Sequence, residues 1–288
     1  MGKVMVTGSR GMLGRAVVAA FSAAGFDVVA LDHGALDVTD LSAVRKVTTE
    51  LRPGLVVNCA AYTDVDRAES ESALAMSVNA LGARNVALAC LDAGAQLVHI
   101  STDYVFSGNK GEPYSIWDPC DPINTYGRSK AWGEYYVRSL LPRSYIIRTS
   151  WLFGPGGDNF VATMLRLARD GETIQVVEDE QGCPTFTEDL AGAMVDLVRT
   201  RAFGTYHITN SGSVTRYGLA SLAVALAGLP VRIQPVASGE FPRRAARPRN
   251  SALDAFPLRE TIGHLLPDWQ DAVRRYVIGL TSTGVAQS

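Results

Sequence analysis

Apolar residues in the first half of the chain fall into short β-branched runs separated by longer stretches of helical pattern. The runs occupy 3–7, 27–31, 54–58, 96–101 and 144–149, and the helical stretches 12–24, 40–52, 71–93 and about 124–141. Each stretch is roughly the length needed to cross from one parallel strand to the next. This alternation predicts a parallel sheet covered on both faces, a doubly wound Rossmann-type α/β domain over residues 1–150. After Trp151 the pattern loosens. Turn clusters at 154–158, 182–184 and 243–250 predict a smaller, more irregular substrate-binding lobe over 151–186 and 211–288. The helical run 188–199 and the strand-like run 205–209 are expected to return to the main sheet, so 187–210 is assigned to it.

A chain of 288 residues suits one or two globular domains with a sizeable core. Its formal charge of −2 supplies no field that would draw it to nucleic acid or an anionic membrane. The first strand begins at Lys3, and the longest apolar stretch, 219–231, is broken by Ser221, Gly228 and Pro230. A cytoplasmic location is expected. Cys59, Cys90, Cys120 and Cys183 are scattered and read as free thiols. His33, His99, His207 and His264 are equally isolated, with His99 inside a strand, so no metal site is expected.

Chemistry enters with Gly8-Ser-Arg-Gly11-Met-Leu-Gly14, placed between the first strand and the first helix. There the glycines would let a pyrophosphate approach free backbone N–H groups at a helix N-terminus. Asp32, at the end of the second strand, can accept hydrogen bonds from a ribose. Arg10 can instead pair with a 2′-phosphate, which leaves NADPH and NADH both open. Tyr126 and Lys130 stand one helical turn apart on one face. A free phenol, with a pKa near ~10, moves protons poorly at neutral pH, and a nearby ammonium and nicotinamide cation would lower that value. Thr102 closes the fourth strand, where ligands of open parallel sheets bind, and can hydrogen-bond a substrate oxygen beside Tyr126. The basic run Arg243, Arg244, Arg247 and Arg249 could clamp phosphate.

These motifs, with Leu36-Asp-Val-Thr-Asp40, Val57 to Glu69, Ser101-Thr-Asp-Tyr-Val-Phe106, Arg148-Thr-Ser-Trp151, Gln181-Gly-Cys-Pro-Thr185, Arg247-Pro-Arg-Asn-Ser251 and Leu266-Pro-Asp-Trp269, span nearly the whole chain. In them the chain resembles the extended short-chain dehydrogenase/reductases, and within that group the dTDP-4-dehydrorhamnose reductase family. The resemblance implies cofactor contacts at Gly11, Met12, Leu13, Asp32, Asp37, Val38, Ala61, Tyr62 and Thr63, with Tyr126 and Lys130 at the nicotinamide ribose. It implies substrate contacts at Thr102, Asp103 and Trp151, and reduction of the C4 ketone of a dTDP-linked 4-keto-6-deoxyhexose. Tyr126 would protonate the alkoxide, Lys130 would orient the ribose and hold the phenol pKa down, and Thr102 would donate to the ketone oxygen. Some members carry a Glu beyond the third glycine that bridges subunits through Mg²⁺. Here Arg15-Ala16 stands in that place, so a monomer or weak homodimer is expected instead. Three alternatives are a related dehydratase, a nucleotide-sugar epimerase and a non-catalytic protein like the regulatory subunit of methionine adenosyltransferase. Tyr104, where dehydratases have Glu, argues against the first, and the intact Thr102, Tyr126 and Lys130 argue against the last.

Overall fold

The computed structural model describes residues 2–171 and 173–282. At its centre lies a parallel sheet of β1 (Lys3–Thr7), β2 (Asp27–Leu31), β3 (Leu55–Asn58), β4 (Gln96–Thr102), β5 (Ser144–Thr149) and an outer strand, Gly204–His207. The order across the sheet is Gly204–His207, β5, β4, β3, β1, β2. The β-branched runs form strands because both faces are covered. Val4 and Val6 enter one apolar layer with Val17 and Phe21, and Met5 enters the other with Val44, Val86 and Val137. That is the two-residue alternation of a pleated strand.

In chain order the helices are α1 (Met12–Ala23), α2 (Leu41–Leu51), α3 (Val65–Ser70), α4 (Ser72–Met76), α5 (Ala83–Ala93), α6 (Thr125–Leu140), α7 (Phe160–Arg169), α8 (Thr187–Thr200), α9 (Arg216–Leu226), α10 (Leu258–Ile262) and α11 (Trp269–Ser282). Helices α1 and α8 cover one face of the sheet, and α2, α5 and α6 the other. The strand order reverses between β1 and β3, which opens a crevice beyond their carboxyl ends.

The stretch 71–93 differs from the single regular helix its pattern predicts. Ser77–Gly82 is π-helical and joins α4 to α5. The run from Ser72 to Ala93 is apolar and long enough to pass for a membrane span by composition, yet 56% of that window is buried inside the protein. The strand-like run 205–209 pairs as a strand only to His207, although the Ile208 N–H still donates to the Arg148 carbonyl at 3.0 Å.

Outside the sheet, α7, α9 and α11 gather around Phe153, Leu165, Phe186, Leu219, Trp269 and Tyr276. Three of these helices, together with α3 and α10, have no counterpart among the stretches read from the sequence. Short strand pairs, such as Leu152–Phe153 with Thr185–Phe186, connect this lobe to the end of the sheet. All four cysteines are free.

One ion pair lies wholly inside the protein. Glu134 of α6 takes Arg148 of β5 bidentately, at 2.9 Å from Nε and 2.7 Å from Nη2, and accepts a third bond from the Ser101 hydroxyl of β4 at 2.6 Å. Both side chains are at most 2% exposed. Burial raises the Glu134 pKa, but Arg148 and Ser101 more than offset it and hold the carboxyl below its ordinary range. Arg148→Met leaves that buried carboxylate only the half-exposed Arg138 at 3.4 Å as a cation, and should cost about 3 kcal/mol in urea unfolding at neutral pH. Because the folded pKa is lowered, the wild-type contribution is full above the ordinary carboxylate pKa and is lost as pH falls through the folded value. The gap between wild type and Arg148→Met should therefore narrow in acid.

Candidate active site

The glycine loop is built for close approach. Gly8 has φ +64°, and a Cβ there would lie 2.6 Å from the Ala60 nitrogen. A Cβ on Gly14 would overlap the Gly8 carbonyl oxygen. Helix α1 starts on Gly11, which has no side chain to cap it, and its first turn holds no acidic residue. By contrast, Asp40 caps α2 and Asn124 caps α6. The first N–H groups of α1 are thus left for a ligand, and this cradle fits the pyrophosphate of a dinucleotide.

Asp32 accepts from the Ala35 N–H at 2.9 Å and pairs with the largely exposed Arg10 at 2.7 Å. The two side chains read as competing for the ribose end of a cofactor therefore already hold one another. The Thr39 N–H and hydroxyl keep the Asp37 carboxyl below its usual range. At the sheet's carboxyl edge, the Thr7 hydroxyl donates to Asn58 Oδ1 at 2.7 Å, and Asn58 Nδ2 lies 3.3 Å from His99 Nδ1. His99 is therefore a neutral core group, its pKa pushed down by burial, with Nε2 lacking a partner among the described residues.

Thr102 ends β4, and Tyr126 and Lys130 project from the first turns of α6. The Thr102 hydroxyl donates to Asp103 Oδ1 at 3.0 Å, accepts from the Tyr104 N–H at 3.1 Å and hydrogen-bonds Tyr126. Lys130 Nζ donates to the Ile100 carbonyl at 2.5 Å. The electrostatics depart from expectation. Burial pushes the Tyr126 phenol above its ordinary value, the Thr102 bond only partly offsets this, and Lys130 is not among the groups that lower it. Instead burial pulls Lys130 itself down to about 8, against an opposing pull from Glu134.

Asn79, in the π-helical segment, went unnoticed in the sequence and holds two halves of the site together. Its Oδ1 accepts from the Tyr62 N–H at 2.9 Å, and its Nδ2 donates to the Tyr62 carbonyl at 3.0 Å and the Ser129 hydroxyl at 2.9 Å. Ser129 in turn donates to the Tyr126 carbonyl at 2.7 Å. Asn79 thereby ties the loop after β3 to the helix that carries Tyr126.

Toward the second lobe, Trp151 holds a left-handed backbone, φ +46°, which non-glycine residues rarely adopt. Its indole packs on Gly182, where a Cβ would fall 2.5 Å from the ring. Asp103 accepts from Ser251 at 2.5 Å, and burial raises its pKa to about 6. One cavity of about 880 Å³ is lined by Gly8, Arg10, Gly11, Met12, Leu13, Gly14, Asp32, Asp37, Val38, Ala61, Tyr62, Thr63, Thr102, Asp103, Tyr126, Lys130 and Trp151.

Arg247 is not among the lining residues, nor are Arg243, Arg244 and Arg249. Asp66 takes Arg247 at 2.7 and 3.3 Å, and Glu180 takes Arg243 at 2.9 Å. Two of the run's four arginines therefore fold back onto the protein's own carboxylates. In its place a residue the sequence did not single out, Arg216 at the start of α9, enters the cavity.

The family described as "RmlD substrate binding domain" matches residues 2–281. A dTDP-4-dehydrorhamnose reductase of Streptomyces griseus is 48% identical, over 87% of this chain and 84% of its own. A dTDP-4-keto-6-deoxy-D-glucose reductase of Streptomyces niveus is 44% identical, over 89% of this chain and 90% of its own. The crystal structure of a dTDP-4-dehydrorhamnose reductase of Bacillus anthracis, in complex with NADP, superposes with a TM-score of 0.94 at 41% identity, over 96% of this chain and 99% of that one.

Asn79→Ala removes three buried hydrogen bonds without touching the cavity wall. A loss of about 1–3 kcal/mol is expected from the groups left unpaired. Fluorescence titration with NADPH should show affinity weakened by about tenfold or more. Unchanged affinity would mean that the loop after β3 needs no such tether.

Proposed function

The chain belongs to the dTDP-4-dehydrorhamnose reductase family and is an oxidoreductase, and we propose that it reduces the C4 ketone of dTDP-4-dehydro-6-deoxy-L-mannose to give dTDP-L-rhamnose. The observation that carries this reading is that the glycine loop, Thr102, Tyr126, Lys130 and Trp151 line a single cavity. Bound NADPH, or NADH in its place, supplies the hydride. Gly8, Gly11 and Gly14 with the start of α1 receive the cofactor's pyrophosphate, and Asp37, Val38, Ala61, Tyr62 and Thr63 border its path. Arg10 holds Asp32 through Nε, which leaves its terminal N–H donors for a 2′-phosphate, and Asp32, if released, would hold ribose hydroxyls. The NADP in the B. anthracis relative supports NADPH as the cofactor.

Reduction needs a proton donor, and burial keeps the Tyr126 phenol protonated at neutral pH. Tyr126 gives that proton to the developing alkoxide. The Thr102 hydroxyl, turned from Asp103 toward the substrate, donates a hydrogen bond that strengthens as charge builds on the oxygen. Lys130, with N–H donors to spare beyond Ile100, orients the nicotinamide ribose. Trp151 offers an apolar wall to the sugar. The same reading carries a cytoplasmic enzyme that works as a monomer or weak homodimer. A second reading, a reductase for another dTDP-linked 4-keto-6-deoxyhexose, is favoured by the S. niveus relative.

The test is NADPH oxidation with dTDP-4-keto-6-deoxyglucose, with and without a 3,5-epimerase, with identification of the product sugar. Turnover that requires the epimerase and yields dTDP-L-rhamnose is expected, and turnover without it would favour the second reading. No oxidation despite cofactor binding would leave a non-catalytic binding protein. Tyr126→Phe should lower kcat by about 10²–10⁴-fold, and Thr102→Val should raise the barrier by about 3 kcal/mol. Lys130 is charged below its pKa of about 8. Reductive kcat/KM should therefore hold at neutral pH and fall as pH rises through about 8, ahead of any loss from Tyr126 ionisation.

A further inference from the structure

Among the described residues, Arg216 is a cation on the substrate side of the cavity that no carboxylate holds. Among the described residues no acid lies within ion-pairing distance of it. The two acids that act on it from further off are engaged elsewhere, Glu180 by Arg243 at 2.9 Å and Asp103 by Ser251 and Thr102. The guanidinium lies over the Trp151 ring, 3.6 Å from its centroid, and 5.0 Å from that of Phe160. Tyr104 takes one of its hydrogen bonds, and a guanidinium has further N–H donors to offer the cavity. A guanidinium held over an aromatic ring with donors to spare suits the bidentate recognition of a phosphate.

Its place in the cavity fits the same ligand. Tyr104 stands edge-on to Tyr126, ring centroids 6.0 Å apart, and its hydroxyl neighbours Arg216. One aromatic side chain thus separates the proton donor from the guanidinium. In a pyranose the anomeric carbon, which bears the diphosphate, lies across the ring from C4. A sugar whose C4 oxygen meets Tyr126 therefore presents its first phosphate about one ring away, and Tyr104 sets Arg216 apart from Tyr126 by one aromatic ring in the same cavity.

We propose that Arg216 binds the diphosphate of the nucleotide-sugar substrate, and that Trp151 serves as the platform holding it flat. The inference rests on the nucleotide-sugar reading above and deepens it. Arg216 does the work that the basic run 243–249 was expected to do, because Asp66 and Glu180 have drawn two of those arginines away.

The experiment is calorimetric titration of the protein, saturated with NADP⁺, with dTDP and separately with thymidine. Arg216→Met keeps an unbranched chain over Trp151 and removes the charge. It should weaken dTDP binding at least about tenfold, leave thymidine binding unchanged and flatten the salt dependence of dTDP binding. Arg216→Lys should fall between the two, having the charge without the fork. Equal dTDP affinity in wild type and Arg216→Met would overturn the proposal. Equal weakening of dTDP and thymidine would also overturn it, since Arg216 would then act only by packing on Trp151. Failure of the wild type to bind dTDP would count against the nucleotide-sugar reading itself, and so against this inference with it.

Discussion

The buried pair of Glu134 and Arg148 is the constraint on which the geometry of the site depends. Tyr126, Lys130 and Glu134 follow one another along α6, and Glu134 is anchored to β5 through Arg148 and to β4 through Ser101. Ser101 is the neighbour of Thr102. One carboxylate therefore sets the rotation and height of the helix carrying the phenol and the ammonium against the strand carrying the threonine. Apolar residues of similar volume could hold the helix to the sheet as tightly, but they would not select one rotation so sharply. Glu134 also pulls the Lys130 pKa upward against the cost of burial, so the same anchor helps keep the ammonium charged.

A single physical theme runs through the cavity, which is desolvation. Burial raises Tyr126 and Asp103 and lowers Lys130 and Arg216, so each group is pushed toward its neutral form. For Tyr126 that suits the proposed role, in which the protonated phenol is the proton donor. For the cations it means that anionic ligands are stabilised by groups with little competing water. On the side of Tyr126 and Arg216 the protein's charges are left to be completed by the charges of what binds. At the other end Arg10 and Asp32 already neutralise one another inside the cavity, and Arg247 and Asp66 do so outside it.

The two parts of the chain divide the work along this line. The sheet supplies a helix N-terminus and rigid strand ends, which suit a ligand whose shape is always the same. The second lobe supplies Trp151 from a short, irregular connection and Arg216 from the first turn of α9. The Trp151 backbone is held in its left-handed state by the Thr185 N–H, which donates to its carbonyl at 3.2 Å, and by the close pass of Gly182. The Ser150 hydroxyl bonds to the Cys183 carbonyl at 2.5 Å in the same corner.

What the sequence determined by itself was everything with a local period or a local steric rule. The five N-terminal strands and the helices between them came from alternation over a few residues, and the glycine loop from the demands of one tight turn. Tyr126 and Lys130 were legible because a helix puts residues four apart on one face. The π-helical segment around Asn79 was not legible, since the bonds that favour it reach Tyr62 and Ser129, 17 and 50 residues away. Helices α7 and α11 carry a clear amphipathic pattern that the sequence reading passed over, while α9 has a weak one and is fixed by the cluster the three share. The arginines show the limit most clearly. Arg247 and Arg216 are equally basic in the sequence, but a carboxylate 181 residues distant engages the first, while the second meets aromatic side chains and leaves its charge facing the cavity. Which charges a chain neutralises is a matter of distance in space, and that only the tertiary structure decides.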